Sequence, residues 1–406
     1  MALAAGLRAG FWAYTGRTWE DALITVLHSE NFYRGLGLTH FRVDESLPVH
    51  GFTSPLSVLI PLAGDWLKLG FGLTLLKLAS LGAGAAAVLY VFRIFQVYPE
   101  LGTELSTVVL AAGYVAVEHH QILWGMAGME TQIATTVLLA SIYYCRAGSP
   151  VMLGISLGLC LLARPDFAFW VLIVGLWLAV QRSWWRLIQT AAVTALLYGP
   201  WVVFTSWYYG SPIPNTILAK SAGFGLWWRA PMTLWEFFPQ LWQKSVGAVF
   251  QVLGPCFGGH GTGFRPLPGG RAIAVAMLAL LLLARRQKSL GLLYALVAVY
   301  TLYYTFLVPV TFGWYTAPLA ASAILLCAKG AGDLLRAQPR LAWAGAAVYL
   351  GALAWILPTT FTAERNIQQI VEEGIRAKIG RYLNEVAAPN QTIGCEPLGY
   401  IGYYSQ

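Results

Sequence analysis

Long apolar runs dominate this chain and leave it few ways to fold in water. They lie near residues 73–95, 104–119, 128–146, 150–164, 166–181, 186–206, 271–284, 289–308, 314–328 and 341–358. Only 11% of the 406 residues are charged, whereas a soluble domain carries about 25%. Several runs approach the ~20 residues that a helix needs to cross the hydrocarbon of a bilayer. The sequence therefore predicts an all-α polytopic membrane protein with about 10–11 transmembrane helices.

The basic residues predict which side of the membrane each loop faces. The net charge is +8, and Arg182, Arg186, Lys288 and Arg336 stand out in short loops between apolar runs. Because positive loops favour the cytoplasmic side, the alternate loops become extracytoplasmic. These outward segments are the first 72 residues, "EHHQILWGMAGMET", "ARPDF", residues 207–270, "VPVTFGWY" and residues 359–406.

The same pattern argues against other classes of protein. The basic residues are not interleaved with RNA-type motifs, so we expect no nucleic-acid partner. The five cysteines show neither CxxC nor Cys/His ligand spacing, which argues against a disulfide framework or a zinc site. A transporter is disfavoured because paired broken helices and internal symmetry are not evident, and because the polar residues collect in the outward loops.

The chain divides near Pro358. Residues 1–358 are predicted to form the transmembrane domain, with a first extracytoplasmic loop at 20–72 and a long one at 207–270. Residues 51–70 contain Asp65 and Lys68, and counting them as a span would invert every later loop; we expect an amphipathic helix on the outer membrane face.

Residues 359–406 are predicted to form a small extracytoplasmic segment. "AERNIQQIVEEGIRAKIGRYLNEV" has apolar residues at helical spacing, which predicts an amphipathic surface helix. "QTIGCEPLGYIGYYSQ" is expected to form a short strand followed by two turns.

Two adjacent carboxylates, Glu20 and Asp21, open a helix-like stretch in the first outward loop. A helix start favours acidic residues through the helix dipole, so a purely structural role is one interpretation. Helical spacing puts Asp21 on the stripe of His28 and Glu20 on the side of Asn31. The motifs that follow favour a functional role.

These motifs are "EDALITVLHSENFYRGLGLTH", "VHGFTSPLSVLIPL", "AGMETQIATTVLLAS", "LLARPDF" and "YYGSPIPNTILAKS". In this order they resemble polytopic GT-C glycosyltransferases, and most of all the arabinofuranosyltransferase-like branch of bacteria. The resemblance covers roughly residues 18 to 221, with "FGWYTAP" and "GYIGYYS" as weaker matches. The tail ends at "GYYSQ", where members of that family continue, so a truncated C-terminal segment is one interpretation.

The resemblance implies a multi-pass enzyme of the cytoplasmic (inner) membrane with its active site on the extracytoplasmic face. Such enzymes transfer a sugar from a polyprenyl phosphate to an extracytoplasmic acceptor, and the acidic pair of the first outward loop, here Glu20 and Asp21, is catalytic. A hydroxyl acceptor needs a carboxylate as general base when it attacks the sugar C1. We expect Asp21 to be that base and Glu20 to be its partner.

The leaving lipid phosphate needs cations or a metal. The sequence identifies no cofactor with certainty, and a divalent cation is one source of this charge. Membrane lipids are the other expected partners. The candidate substrate-binding residues are His28, Asn31, His50, Thr53, Ser54, Glu130, Arg164, Asp166, Asn215, Lys220, Trp314 and Tyr315.

Some of these charged residues have structural alternatives. Arg164 can be an interfacial anchor with Asp166 as its ion-pair partner, Lys220 can snorkel to the membrane surface, and Glu130 can cap a helix.

Aromatic and histidine residues also have two interpretations. Trp314–Tyr315 fits an aromatic belt better than a sugar-stacking platform, and His119–His120 fits the headgroup level better than a metal site. For the chain as a whole, the alternative is a non-catalytic GT-C-like accessory subunit of a membrane complex.

Overall fold

The computed structural model describes residues 1–40, 48–223, 232–253, 270–284, 286–308, 311–388, 391, 394 and 398–405. These residues are 83% helical and contain no strand. The helices are α1 (Ala2–Thr15), α2 (Glu20–Tyr33), α3 (Leu56–Leu67), α4 (Gly72–Val97), α5 (Leu105–Val117), α6 (His119–Met126), α7 (Thr131–Ala147), α8 (Pro150–Ala163), α9 (Ala168–Val180), α10 (Trp184–Tyr208), α11 (Asn215–Gly223), α12 (Leu234–Leu253), α13 (Gly270–Leu283), α14 (Gly291–Phe306), α15 (Gly313–Leu335), α16 (Pro339–Asn366), α17 (Ala377–Val386) and α18 (Leu398–Tyr404). The predicted all-α polytopic membrane fold is confirmed.

Each of the ten apolar runs forms one helix: α4, α5, α7 to α10 and α13 to α16. Five helices in the described ranges are long and apolar enough to cross a membrane: Gly72–Val97, Trp184–Tyr208, Lys288–Phe306, Gly313–Leu335 and the continuous helix Pro339–Val386. Others, such as α5 with 13 residues, rise only ~20 Å against a hydrocarbon thickness of ~30 Å. The number of spans therefore stays a prediction.

Small residues let neighbouring helices approach closely. Gly154 and Gly158 of α8 face α10, where an added Cβ would lie 2.7 Å from Val193 Cβ and 2.9 Å from Leu197 Cδ2. The Thr194 hydroxyl donates across the same contact to Gly154 O at 3.1 Å. Glycines four residues apart are a common feature of closely packed membrane helices, and here they bring α8 and α10 together.

The basic loops share one end of the bundle. Arg146 pairs with Glu100 at 2.7 Å and Arg336 with Glu104 at 3.7 Å. These contacts lie beyond the C-terminal end of α4, whose 26 residues rise about 39 Å. Segments that were predicted to face outward meet at the opposite end, where α4 begins.

The first loop holds two short helices, α2 and α3. Helix α3 has 12 residues and rises only ~18 Å against a hydrocarbon thickness of ~30 Å; that residues 51–70 lie on the outer membrane face stays a prediction. Asp65 of α3 is buried: it accepts a hydrogen bond from the Ser29 hydroxyl and bonds from the Gly70 and Gly72 N–H groups at 3.0 and 2.8 Å. The carboxylate thus ties α2, α3 and the start of α4 together.

The C-terminal segment differs from prediction in two ways. Residues 398–404 form α18 rather than turns, whereas most of the predicted strand lies outside the described residues. The amphipathic helix exists, but α16 runs into it through a π-helical segment, Ile367–Arg376, and α17. Its polar Gln368 and Glu372 are buried and its apolar Ile370 is 62% exposed, because the polar stripe faces a buried arginine, Arg17, in front of α2.

Candidate active site

Helix α2 begins only four residues after α1 ends. Gly16 terminates α1 in the left-handed conformation, with φ 62°, and donates its N–H to Trp12 O at 2.9 Å; residues with a Cβ disfavour this conformation. Glu20 and Asp21 then occupy the first turn of α2 and are half-buried. The helix dipole stabilises both carboxylates there, so a structural and a chemical role are compatible.

Glu20 faces the C-terminal segment of the chain. Its Oε2 lies 3.3 Å from Nη1 of Arg376, which also bonds Glu372 at 3.0 Å. Helix α18 covers its backbone: a Cβ on Gly399 would overlap Glu20 O. Glu20 does not approach Asn31, which donates to the carbonyls of Thr39 and His40 at 3.0 and 3.2 Å.

Asp21 instead interacts with a buried group of charges. Burial raises the pKa of the Glu130 carboxyl, the guanidinium of Arg164 opposes this rise, and the carboxylates of Asp166 and Asp21 add to it. The three segments also touch: the Trp19 N–H, two residues before Asp21, donates to Ala127 O at 2.8 Å, and the Trp19 ring lies 5.6 Å from that of Trp314, whose carbonyl bonds Arg164. The fold therefore gathers four residues from three outward segments into one charge cluster, defined here as Asp21, Glu130, Arg164 and Asp166.

Arg164 holds this cluster in place. It donates from Nε and Nη2 to the two Asp166 oxygens at 3.0 and 3.1 Å, and from Nη1 to Trp314 O at 2.8 Å. The Tyr300 hydroxyl donates to Asp166 O at 2.8 Å. Two parallel bonds fix both planes, so the predicted Arg164–Asp166 ion pair is present, and Arg164 is no interfacial anchor because it is 5% exposed.

Aromatic side chains pack beside the charge cluster. Trp314 is 7% exposed; it stacks on Phe312 at 4.5 Å between ring centroids and contacts Trp124 at 5.1 Å and Trp19 at 5.6 Å. The guanidinium of Arg164 lies 4.8 Å from the centroid of the Tyr315 ring. The belt interpretation is therefore wrong for Trp314, because protein rather than the membrane interface surrounds it.

Glu130 and the histidine pair lie at the two ends of the segment that contains α6. Glu130 immediately precedes α7, the cap position that the structural alternative predicted. His119 and His120 are buried; the His119 ring lies 6.4 Å from those of Phe11 and Phe361, and the His120 ring lies 6.3 Å from that of Trp124. These rings lie inside the helix bundle, and their position at the level of the headgroups stays a prediction.

His28 and His50 belong to a second group, away from Asp21. The His28 Nδ1 lies 2.7 Å from Ile24 O, and its ring contacts Phe52 at 5.0 Å and His40 at 6.0 Å. His50 stacks on Tyr209 at 4.4 Å. Burial lowers the pKa of His28 to about 3 and the pKa values of His40 and His50 to about 4. These neutral rings pack the first loop against α10, so His28 does not orient Asp21.

The remaining candidates support this packing. The Ser54 hydroxyl accepts the Ser57 N–H at 3.3 Å at the start of α3, and Thr53 beside it is half-buried. The Asn215 N–H donates to His50 O at 3.1 Å. Lys220 lies on α11, but its side chain is outside the described residues.

Sequence reasoning missed the polar stripe that meets Glu20. This stripe has a polar residue at every fourth position: Glu364, Gln368, Glu372 and Arg376. It lies opposite the apolar positions that predicted the amphipathic helix. This spacing was a readable signal of a second buried face. In the ranges that the structure describes, no group of three or more His, Cys, Asp or Glu residues is placed to hold a metal ion.

Comparisons by sequence and by structure give different answers. No protein-family model and no curated protein matches the sequence. Two solved structures of ArnT from Cupriavidus metallidurans share its fold. One, bound to undecaprenyl phosphate, has a TM-score of 0.62 at 12% identity, and the apo structure has 0.61 at 13%; each match covers 100% of this chain and 83% of the other. The likeness therefore shows a shared fold, and the sequence identity is too low to infer a shared function from it.

Proposed function

We propose that this chain, which has the GT-C fold of ArnT, is a membrane glycosyltransferase that moves a sugar from a polyprenyl-phosphate donor to an extracytoplasmic acceptor of the cell envelope. The observation that carries the proposal is the charge cluster at the start of α2. Its four members come from three outward segments, and a purely structural helix start would not need them. That one ArnT structure holds undecaprenyl phosphate supports the class of donor.

In this proposal Asp21 takes the proton of the acceptor hydroxyl as the oxygen attacks the sugar C1. The hydroxyl is a weak nucleophile near neutral pH, so a positioned base contributes about 10²–10⁴-fold. Glu130 and the Arg164–Asp166 pair set the electrostatic environment of this base. The Arg164 guanidinium already donates to Asp166 and to Trp314 O. In this proposal Arg164 therefore positions the residues of the charge cluster and does not bind the donor.

The developing charge on the leaving phosphate needs a positive partner. We propose Lys220 for this role, because the structure engages Arg164 and holds His50 neutral against Tyr209. In the described residues, no group of three or more His, Cys, Asp or Glu residues is placed to hold a metal ion, and a dependence on a divalent cation stays a prediction. Transfer assays with and without a chelator test that dependence directly.

The basic end of the bundle is proposed to face the cytoplasm and the charge cluster to face outward. This assignment follows from the grouping of Arg146 and Arg336 at the end opposite α2 and from the preference of positive loops for the cytoplasmic side.

The test is sugar transfer by the purified protein in lipid nanodiscs, with labelled pentosyl and hexosyl polyprenyl phosphates and an envelope acceptor fraction. Asp21→Asn should lose about 10²–10⁴-fold in rate with unchanged thermal stability. Glu385→Gln, which removes an exposed carboxylate on α17, is the matched control and should transfer normally.

Two outcomes would contradict the proposal. Full transfer by Asp21→Asn would return this carboxylate to the role of a helix start. A folded wild-type protein that binds the donors but transfers none of them would favour the accessory-subunit alternative.

A further inference from the structure

The four residues between α1 and α2 are held by side chains from distant parts of the chain. Lys77 Nζ donates to Arg17 O at 2.8 Å and to the Thr18 hydroxyl at 3.0 Å. The Thr18 N–H donates to Gln368 Oε1 at 3.1 Å, and the Trp19 N–H donates to Ala127 O at 2.8 Å. Because buried backbone groups need partners, these bonds fix where α2 begins.

A chain of alternating charges extends from this linker to Glu20. Arg17 Nε bonds Glu364 Oε2 at 2.8 Å, and Arg17 Nη1 bonds Glu372 Oε1 at 3.2 Å. Glu372 bonds Arg376 at 3.0 Å, and Arg376 reaches Glu20 Oε2 at 3.3 Å. Arg17, Glu364 and Glu372 are 2% exposed or less, so water screens these pairs weakly.

Three of the charged residues lie on one continuous helical element. Glu364 lies in the last turn of α16, and Glu372 and Arg376 lie in the π-helical segment. A π-helix has a wider turn than an α-helix and often occurs at functional sites. Because of this wider turn, side chains at every fourth position from Glu364 to Arg376 all face the α1–α2 linker and the start of α2.

Helix α18 covers the same place from another direction. The Tyr400 hydroxyl lies 3.1 Å from both Thr18 O and Gln368 Oε1, and the Tyr403 hydroxyl donates to Glu30 Oε1 at 2.6 Å. Gly399 lies against Glu20 O with no room for a side chain. The first and third turns of α2 are therefore both held by the C-terminal segment.

We propose that the polar stripe of Glu364, Gln368, Glu372 and Arg376 forms, together with α18, a positioning element for the acidic pair, and that Arg376 is the positioning residue that orients Glu20 and, through the first turn of α2, Asp21. This inference rests on the proposed function. Arg376 need not touch the substrate, because its guanidinium is already shared between Glu20 and Glu372. It acts by fixing a helix start that otherwise follows a four-residue linker.

The test compares Arg376→Gln, Arg376→Lys and Lys378→Gln. Lys378 is exposed on the next helix, and its variant removes one positive charge without touching the network. Misplacing a catalytic group by about 1 Å can cost about 10²-fold. We therefore expect Arg376→Gln to lower kcat by about 10- to 100-fold with the donor KM nearly unchanged, Arg376→Lys to recover part of it, and Lys378→Gln to match wild type.

Two further measurements separate positioning from general destabilisation. If Arg376 acts through Glu20, the Arg376→Gln, Glu20→Gln double variant should be no slower than the slower single variant, since coupled residues are not additive. Hydrogen exchange of residues 16–27 should increase in Arg376→Gln and stay unchanged in Lys378→Gln. This readout does not depend on sugar transfer, so it tests positioning even if the proposed function fails.

A wild-type kcat in Arg376→Gln, or unchanged exchange at the start of α2, would overturn the inference. So would a loss of kcat that adds fully to that of Glu20→Gln. If wild type transfers no sugar but exchange at residues 16–27 rises as expected, the positioning stands and the proposed function falls.

Discussion

The stability of the first loop should depend on pH through His28. This side chain is fully buried and neutral, and burial lowers its pKa to about 3 from an ordinary value of 6.5. Between these two values the unfolded chain binds a proton at this position and the folded chain does not. The free energy of unfolding therefore rises with pH across this window, so the contribution is fully present above pH 6.5 and is lost as the pH falls towards 3.

The size of the effect follows from the width of the window. Each pH unit below the unfolded pKa is worth about 1.4 kcal/mol. Lowering the pH from 7 to 5 should therefore reduce the free energy of unfolding by about 2 kcal/mol through His28 alone. His40 and His50 shift in the same direction, so the wild-type protein as a whole should lose more than this.

The assay is the thermal unfolding midpoint in detergent from pH 8 to pH 5, for wild type and for His28→Asn. Asparagine keeps an amide that can donate to Ile24 O, the partner of His28 Nδ1, but it does not titrate. Between pH 7 and pH 5, the unfolding midpoint of wild type should fall by on the order of a few degrees more than that of the variant. Above pH 7 the two midpoints should change with pH in parallel. Equal slopes over the whole range would refute the reasoning.

Other predictions concern packing, the charge cluster and topology. Gly330→Ala should lower the unfolding midpoint clearly, because its Cβ would overlap Leu280 O, whereas Gly345→Ala, which meets nothing within 4 Å, should not. Arg164→Lys should cost sugar transfer about 10-fold or more, since an ammonium cannot replace the two-bond fork to Asp166; an unchanged rate would remove Arg164 from the site. Gly399→Ala should displace α18 from α2 and slow transfer, with Gly394→Ala as the unhindered control. In intact cells of a strain whose protein lacks native cysteines, a cysteine at Gln287 should resist a membrane-impermeant thiol reagent and one at Glu385 should react; the reverse pattern would invert the topology.

Hydrophobic patterning predicted the helices well because a membrane chain leaves its backbone no other partner than itself. All ten apolar runs became helices, although α15 and α16 end seven and eight residues beyond the expected bounds of 328 and 358. The fold class followed from the same pattern, and the ordered motifs added the resemblance to GT-C glycosyltransferases. The pattern was weaker at the C-terminus, where "GYIGYYS" reads as turns but folds as α18 against α2. Tertiary contacts stabilise that helix: Gly399 packs on Glu20, and the Tyr400 hydroxyl lies 3.1 Å from Thr18 O.

The site was predictable in part. The alternation of loops between the two membrane sides predicts which segments share a side, but it does not predict which side chains contact each other. Glu130, Arg164 and Asp166 were candidates from two outward segments, and the fold groups them with Asp21. Helical spacing predicted that His28 lies beside Asp21 and that Asn31 lies on the side of Glu20. In the structure, the side chains of His28 and Asn31 instead pack the first loop. Arg376 could not be linked to Glu20 from sequence, because 356 residues separate them.

The hold of the polar stripe and α18 on the α1–α2 linker has a consequence for biogenesis. The linker and the first turn of α2 are synthesised long before their partners Glu364, Glu372 and Tyr400, which follow at separations of 347 to 382 residues. Long-range contacts of this kind form late in folding. Until α16, the π-helical segment and α18 are translated, Arg17 has neither of its carboxylate partners and Glu20 lacks Arg376. The start of α2 can therefore take its final position only after these elements have been inserted.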